Sequence, residues 1–426
     1  MPINRRRFLQ TGALAAGGIA CSPATRTGEP AAAANDIPEA IKALKPMTAG
    51  VVPIPDDERK ARIAKAQRLM NEQKIDAIFM EGGTSCAYFV NMRWWPSERP
   101  FGCIIPANGE IVYIAPGFEE DRVRELMKFG NEVRVWQEDE SAYKVIAGAV
   151  RDRGARYHRI GIEERVRFFI VNGIAKESAG MELVDATPVT AGCRMYKSKA
   201  EIALMQHAND VTITAYKAGL STMREGMSQD ELVRNITAGF TALGFGGDVS
   251  AQFGKWTALP HGSSTPQQLR EGDIVMIDDG VVVEGYVSDI TRTTVFGKPT
   301  QRQVDVWHKE QEAQNAAFAA VKIGAPCESV DAAARAAIEK AGFGPGYKVP
   351  GLPHRTGHGI GMDGHEWTNF VKGNKTPIAP GMCFSDEPMI AIPGEFGIRH
   401  EDCLYIGDDG PHFFTKQAVA IDQPFG

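Results

Sequence analysis

The residues most able to do chemistry are four acids set symmetrically about two turn signals in the second half of the chain. In Asp278-Asp279-Gly280-Val281-Val282-Val283-Glu284-Gly285-Tyr286-Val287-Ser288-Asp289, a reversal centred between Val283 and Glu284 puts Asp278 directly opposite Asp289 on adjacent antiparallel strands. Downstream, Pro393-Gly394-Glu395 is a turn candidate, and a reversal centred on Gly394 sets Glu387 opposite Glu401. Like charges on facing positions repel, so both pairs cost stability unless a cation lies between them. Between the hairpins runs the glycine-rich His354-Arg355-Thr356-Gly357-His358-Gly359-Ile360-Gly361, which can bring an imidazole close to those carboxylates. Taken singly, Asp278-Asp279-Gly280 is an ordinary turn, Glu387 and Glu401 are solvated acids, and His358 is a hydrogen-bonded loop histidine. Their joint occurrence points instead to a hydrolytic site holding two divalent ions.

These segments carry a resemblance. Met276-Ile277-Asp278, Ser288-Asp289-Ile290-Thr291-Arg292-Thr293, His354 to His358, His365-Glu366, Asp386-Glu387-Pro388 and Gly397-Ile398-Arg399-His400-Glu401-Asp402 together resemble the M24 metallopeptidase superfamily of prolidase, aminopeptidase P and methionine aminopeptidase. The likeness runs from about Arg194 to the end, and more weakly over about Asp57 to Pro188. It implies an α+β protein: a pita-bread catalytic domain with a curved antiparallel sheet, preceded by a smaller α/β creatinase-like domain. It also implies that Asp278 binds one metal, that His358 and Glu387 bind the other, and that Asp289 and Glu401 bridge the two. His261 and His365 match the superfamily's two non-ligand histidines, which steady the reacting carbonyl and the leaving nitrogen. Arg399 matches a position that supports the site or a substrate carboxylate.

The implied reaction is hydrolysis of Xaa-Pro bonds, in peptides with proline at the second position, by a metal-bridging hydroxide with Glu387 as proton shuttle. The enzyme is then a prolidase or an aminopeptidase P, expected as a homodimer. Four carboxylates and one imidazole form a hard, oxygen-rich donor set that favours manganese, with cobalt, iron or zinc open to the same donors. The alternative is a same-fold non-peptide C–N hydrolase or a dimethylsulfoniopropionate-lyase-like enzyme, the latter kept open by the additional acid Asp279.

Composition agrees with a globular enzyme. A chain of 426 residues with 43% hydrophobic and 23% charged residues has room for two domains with substantial cores. The net charge of −6, with no basic stripe, argues against a nucleic-acid partner, and no run of 18 apolar residues provides a transmembrane segment. Residues 1–34 resemble a twin-arginine signal peptide: Asn4-Arg5-Arg6-Arg7-Phe8-Leu9-Gln10 precedes a weakly apolar stretch, and Ala31 to Ala34 offers a cleavage site. The expectation is a periplasmic or secreted protein, with lipidation at Cys21 as the lesser option. Cys86, Cys103, Cys193 and Cys327 are read as core thiols. Cys383 and Cys403 are near-opposed in the second hairpin frame, where an oxidising compartment permits a bridge.

The elements that must position the site follow from periodicity. Residues 35–56 read as a linker or surface strap, 57–190 as the first domain and 191–426 as the catalytic domain. In the first domain we expect a helix over about Asp57 to Gln73, strands at Ala77 to Met80, Ala87 to Val90, Gly102 to Ile105 and Ile111 to Ala115, and an Asn108-Gly109 hairpin. Helices at Glu119 to Phe129 and Tyr143 to Arg153 and a strand at Ile160 to Ile162 follow. Capping boxes at Ser198-Lys199-Ala200-Glu201 and Ser228-Gln229-Asp230-Glu231 open the helices of the catalytic domain, the first about Lys199 to Thr222, with later ones at Gln301 to Ile323 and Ser329 to Lys340. Trp94 and Trp95 suit a packed cluster or the rim of a pocket.

Overall fold

The computed structural model describes residues 37–154 and 158–426. A short helix α1 (Glu39–Lys42) leads through an extended strap into α2 (Asp56–Gln73), close to the expected helix. The next strands are β1 (Ala77–Glu81), β2 (Gly102–Pro106), β3 (Val112–Pro116), β4 (Glu132–Trp136), β5 (Arg159–Ile162) and β6 (Glu182–Asp185). They form one mixed sheet in the order β4-β3-β2-β1-β5-β6, parallel at its two ends and antiparallel across β1, β2 and β3. Helices α3 (Thr84–Val90), α4 (Glu120–Leu126), α5 (Ala142–Arg151), α6 (Phe168–Glu177) and α7 (Thr187–Arg194) complete this half. β1, β2 and β3 are buried along their whole length, so they read as continuous apolar runs rather than alternating ones.

Two expectations for this half are corrected. Ala87 to Val90, rich in strand formers, is helical within α3. Its last carbonyls find donors across the fold: Arg59 Nη1 reaches Ala87 O at 2.7 Å, and Arg62 Nη1 reaches Tyr88 O at 3.1 Å. Those cations satisfy and complement the helix C-terminus, an effect no local propensity records. The helix expected over Glu119 to Phe129 stops at Leu126. Trp94 stacks on Phe101 with ring centroids 4.2 Å apart, whereas Trp95 is exposed.

The second half opens with α8 (Lys199–Leu220) and α9 (Gln229–Leu243). The expected box at α8 is complete: Ser198 Oγ accepts from Glu201 N at 3.2 Å and Glu201 Oε2 accepts from Ser198 N at 2.8 Å. At α9 only the serine half forms, because Glu231 pairs with Arg224 instead. The strap lies along these helices, with Met47 N donating to Leu243 O at 2.9 Å and Met47 O bound to His207 Nε2 at 2.6 Å.

Beyond them, β7 (Gly246–Phe253), β8 (Ile274–Val283), β9 (Tyr286–Val287) and β10 (Arg292–Val295) make an antiparallel sheet ordered β10-β8-β7, with β9 paired to the end of β8. After α10 (Gln301–Ala320) and α11 (Glu328–Lys340) come β11 (Gly357–Gly359), β12 (Glu366–Phe370), β13 (Cys383–Asp386), β14 (Met389–Ile392), β15 (Phe396–Arg399), β16 (Asp402–Gly407) and β17 (Gly410–Phe413). They build a sheet ordered β12-β11-β13-β16-β17 and a β14-β15 hairpin. Among the described residues, no helix is long and apolar enough to cross a membrane.

Candidate metal centre

The second acid hairpin has the expected register. Met389 faces Arg399 and Ile392 faces Phe396 across Pro393-Gly394-Glu395, with Gly394 at φ 83°. The same frame continues where Asp386 faces Asp402, so Glu387 and Glu401 are opposed in the gap between the two ladders. Cys383 faces Tyr405 and Cys403 faces Ser385 in that frame, and both thiols are free, which removes the expected option of a bridge.

The first hairpin is corrected by one position. It turns at Glu284-Gly285, both at positive φ, so Val283 pairs with Tyr286 and Ile277 with Arg292. Asp278 therefore faces Thr291, and Asp289 lies diagonally from it in the segment between β9 and β10. The diagonal still brings the two acids together, because neighbours two places along share a face.

The structure places Asp278, Asp289, His358, Glu387 and Glu401 around one centre. Asp278, Asp289 and Glu401 have carboxylate oxygens within 4.8 Å of one another, as do the donor atoms of His358, Glu387 and Glu401, and those of Asp289, His358 and His365. His358 Nδ1 is 3.0 Å from Gly359 O, which fixes the proton on Nδ1 and leaves Nε2 as a lone pair. That lone pair points at Glu387 Oε1 at 3.3 Å and Asp289 Oδ2 at 3.7 Å. Burial and neighbouring His365 hold the imidazole down to about 3, so no proton on Nε2 separates these acceptors.

The carboxylates show the same tension. Burial, then Asp278, pushes Asp289 well above the usual range, and burial, then Asp289, does so for Glu401. Glu387 is pushed up to about 7 by burial. Asp278 alone is lowered: burial acts upward, but Arg399 and the Thr291 hydroxyl outweigh it. Thr291 Oγ1 lies 2.6 Å from Asp278 and 2.7 Å from Glu401, yet its single proton serves one at a time, and Glu401 Oε1 is buried without a hydrogen-bond partner among the described residues. An oxygen-rich cage with an orphaned oxygen and an unprotonated imidazole fits divalent cations and fits little else.

Around the donors is a cavity of about 580 Å³ lined by His261, His354, Arg355, His365 and Arg399 among others. His365 stacks on His358 with centroids 3.8 Å apart, and its Nδ1 lies 2.8 Å from Arg355 Nη2. Arg399 is buried and donates to Asp278, to Thr291 Oγ1 at 2.9 Å and to Pro260 O at 3.1 Å, the last anchoring the His261 loop. Thr291 and Arg355 were not singled out from sequence. Thr291 becomes visible only once the turn is set at Glu284-Gly285.

Similar proteins identify the family. The model of metallopeptidase family M24 matches residues 203–408, and that of the Creatinase/Prolidase N-terminal domain matches residues 62–196. An uncharacterized peptidase of Schizosaccharomyces pombe is 33% identical over 391 residues, covering 86% of this chain and 83% of its own. The chain belongs to metallopeptidase family M24. An Xaa-Pro dipeptidase of Lactobacillus helveticus is 29% identical over 361 residues, 82% of this chain and 95% of that protein. The solved dipeptidase PepE from Mycobacterium ulcerans superposes with a TM-score of 0.80 at 28% identity, covering 87% of this chain and 99% of that one. The M24 protein thus has the expected fold, a creatinase-type N-terminal domain followed by a pita-bread domain.

A further expectation, of location, is overturned. The relatives include a putative dipeptidase of Bacillus subtilis and the Xaa-Pro dipeptidase of Lactobacillus helveticus and lend no support to export, so the periplasmic or secreted location is withdrawn. The twin-arginine segment 1–34 and Cys21 lie outside the described residues.

Proposed function

We propose that this M24 protein is a dinuclear metal-dependent peptidase that hydrolyses Xaa-Pro bonds, in the manner of a prolidase or an aminopeptidase P. The carrying observation is the convergence of Asp278, Asp289, His358, Glu387 and Glu401 as overlapping donor groups. The name of the Lactobacillus helveticus relative supports the proline specificity. In this reading Asp278 holds one ion, His358 and Glu387 hold the other, and Asp289 and Glu401 serve both. Two divalent ions, when bound, supply a water acidified towards neutrality and polarise the substrate carbonyl. The oxygen-rich donors favour manganese. The same reading takes 57–190 and 191–426 as the two domains and a homodimer as the assembly.

The chain's own groups carry the rest. Glu387, whose Oε1 lies 3.3 Å from His358 Nε2 and which lines the substrate cavity, is placed to accept a proton and return it to the leaving nitrogen. Arg355 donates to His365 Nδ1, so His365 carries its proton on Nε2 and can donate to a carbonyl oxygen. His261, held through Pro260 by Arg399, lines the same cavity and can steady the leaving nitrogen. Arg399 itself neutralises Asp278 and fixes its orientation.

The test is metal analysis with a substrate panel. Protein reconstituted with manganese is expected to hold about two ions per chain and to cleave Ala-Pro, Gly-Pro or longer Xaa-Pro peptides. Stoichiometric metal with no cleavage of any of these refutes the peptidase reading.

A further inference from the structure

Two charges of opposite sign line the donor cavity, and neither has a counter-ion within ion-pair distance among the described residues. Arg355, in the loop before β11, uses one of its five donors on His365 Nδ1 and forms no ion pair among the described residues. Asp279 follows the donor Asp278 on β8, and its carboxylate likewise pairs with no cation among the described residues. Its φ of 87° is a conformation a non-glycine strand residue adopts only at a cost, and such strain gathers at functional sites. Arg399, the cation expected for a substrate carboxylate, is already committed to Asp278, Thr291 and Pro260.

We propose that Asp279 and Arg355 form a clamp for a zwitterionic dipeptide, Asp279 taking the α-ammonium and Arg355 the C-terminal carboxylate. The proposal rests on the peptidase reading and adds substrate length to it. Arg355 Nη2 sits 2.8 Å from His365, whose ring lies 3.8 Å from that of the donor His358, so the guanidinium stands one imidazole beyond the cluster. That is the reach of one residue, about 3.3–3.6 Å, plus a hydrogen bond. A dipeptide cleaved at the cluster has one residue on that side, ending in a carboxylate. In a longer peptide the same position holds a neutral amide, and Arg355 stays unpaired. Half-enclosed charges left without partners are costly, so a ligand of matching polarity gains from both ends at once. The cavity of about 580 Å³ lies within the ~300–1,000 Å³ typical of small-ligand sites.

The experiment crosses four substrates with three proteins. Ala-Pro, Ala-Pro amide, N-acetyl-Ala-Pro and Ala-Pro-Ala are assayed as kcat/KM with the manganese-loaded natural protein, R355Q and D279N, whose metal content is measured in parallel. The natural protein is expected to favour Ala-Pro over the amide and over Ala-Pro-Ala by on the order of 10–100-fold, the worth of one charged hydrogen bond. R355Q should lose the discrimination itself, its ratio of kcat/KM for Ala-Pro to that for the amide falling towards one, whatever its overall rate loses through His365. D279N should behave in the same way towards N-acetylation. Retention of carboxylate discrimination by R355Q, or of ammonium discrimination by a D279N protein with full metal content, overturns the clamp. If D279N loses metal, R355Q alone decides. If the natural protein cleaves nothing, the peptidase reading has failed separately. The clamp is then decided by calorimetric binding of Ala-Pro to the same proteins, where equal affinity for the natural protein and R355Q overturns it.

Discussion

Replacing Glu366 by glutamine should show how much of the histidine loop's position depends on one buried carboxylate. Glu366 follows His365 and accepts from Lys197 Nζ at 2.9 Å, from Arg194, and from the backbone of Met362 and Asp363 at 2.9 and 3.1 Å. Burial acts to raise its pKa, but Lys197 and Arg194 outweigh it and hold the group down to about 2, from an ordinary 4.5. At about 1.4 kcal/mol per unit, this corresponds to roughly 3 kcal/mol of native-state stabilisation. The variant also strands the Lys197 ammonium, whose side chain is only 2% exposed, whereas Arg194 keeps Asp363. Breaking a buried pair costs about 3–5 kcal/mol, so a loss near 3 kcal/mol is expected at neutral pH.

Because the folded pKa is depressed, this stabilisation is complete above about 4.5 and disappears as pH falls through about 2. Urea unfolding of E366Q beside the natural protein should give a gap near 3 kcal/mol at pH 7 that shrinks steadily below pH 4.5. A gap under 0.5 kcal/mol at pH 7, or one independent of pH, would refute the reasoning.

Asp289→Ala should abolish turnover and metal loading together; full activity or full metal content, by assay and elemental analysis, would remove its bridging role. Thr291→Val deletes the hydroxyl between Asp278 and Glu401 and should lower metal affinity by on the order of 10–100-fold, as losses of orienting hydrogen bonds do, read by competition with a chelating dye. Chelated protein should be more stable at pH 5 than at pH 8, measured by thermal unfolding. Glu387, raised by burial to about 7, holds in the folded state a proton that the unfolded chain has released above about 4.5, so its contribution is lost as pH rises through 7. Saturating manganese should flatten that slope.

Much of the centre was legible because it is written in local signals. Pro393-Gly394-Glu395 sets the second register outright, and Ser198 with Glu201 opens α8 as its pattern demands. The first register slipped because Glu284, a non-glycine residue, takes the left-handed conformation beside Gly285 and moves the reversal by one residue. Ala87 to Val90 was misread because its helix ends on Arg59 and Arg62, both on α2. The lesson of Arg399 is similar. Its type and spacing suit a substrate anion, but only its contacts show the guanidinium committed within the site, whereas Arg355, bonded to His365, forms no ion pair among the described residues.

The ladder that spaces Glu387 from Glu401 has an uneven tolerance for editing. Its two arms count off positions from the bend at Gly394, so one residue added to either arm slides one acid past the other and turns it away. Extra residues at the tip, beyond Ile392 and Phe396, leave the count untouched. A reporter peptide or affinity handle spliced at Gly394 should therefore leave catalysis intact, whereas a single alanine inserted after Ile390 should silence it.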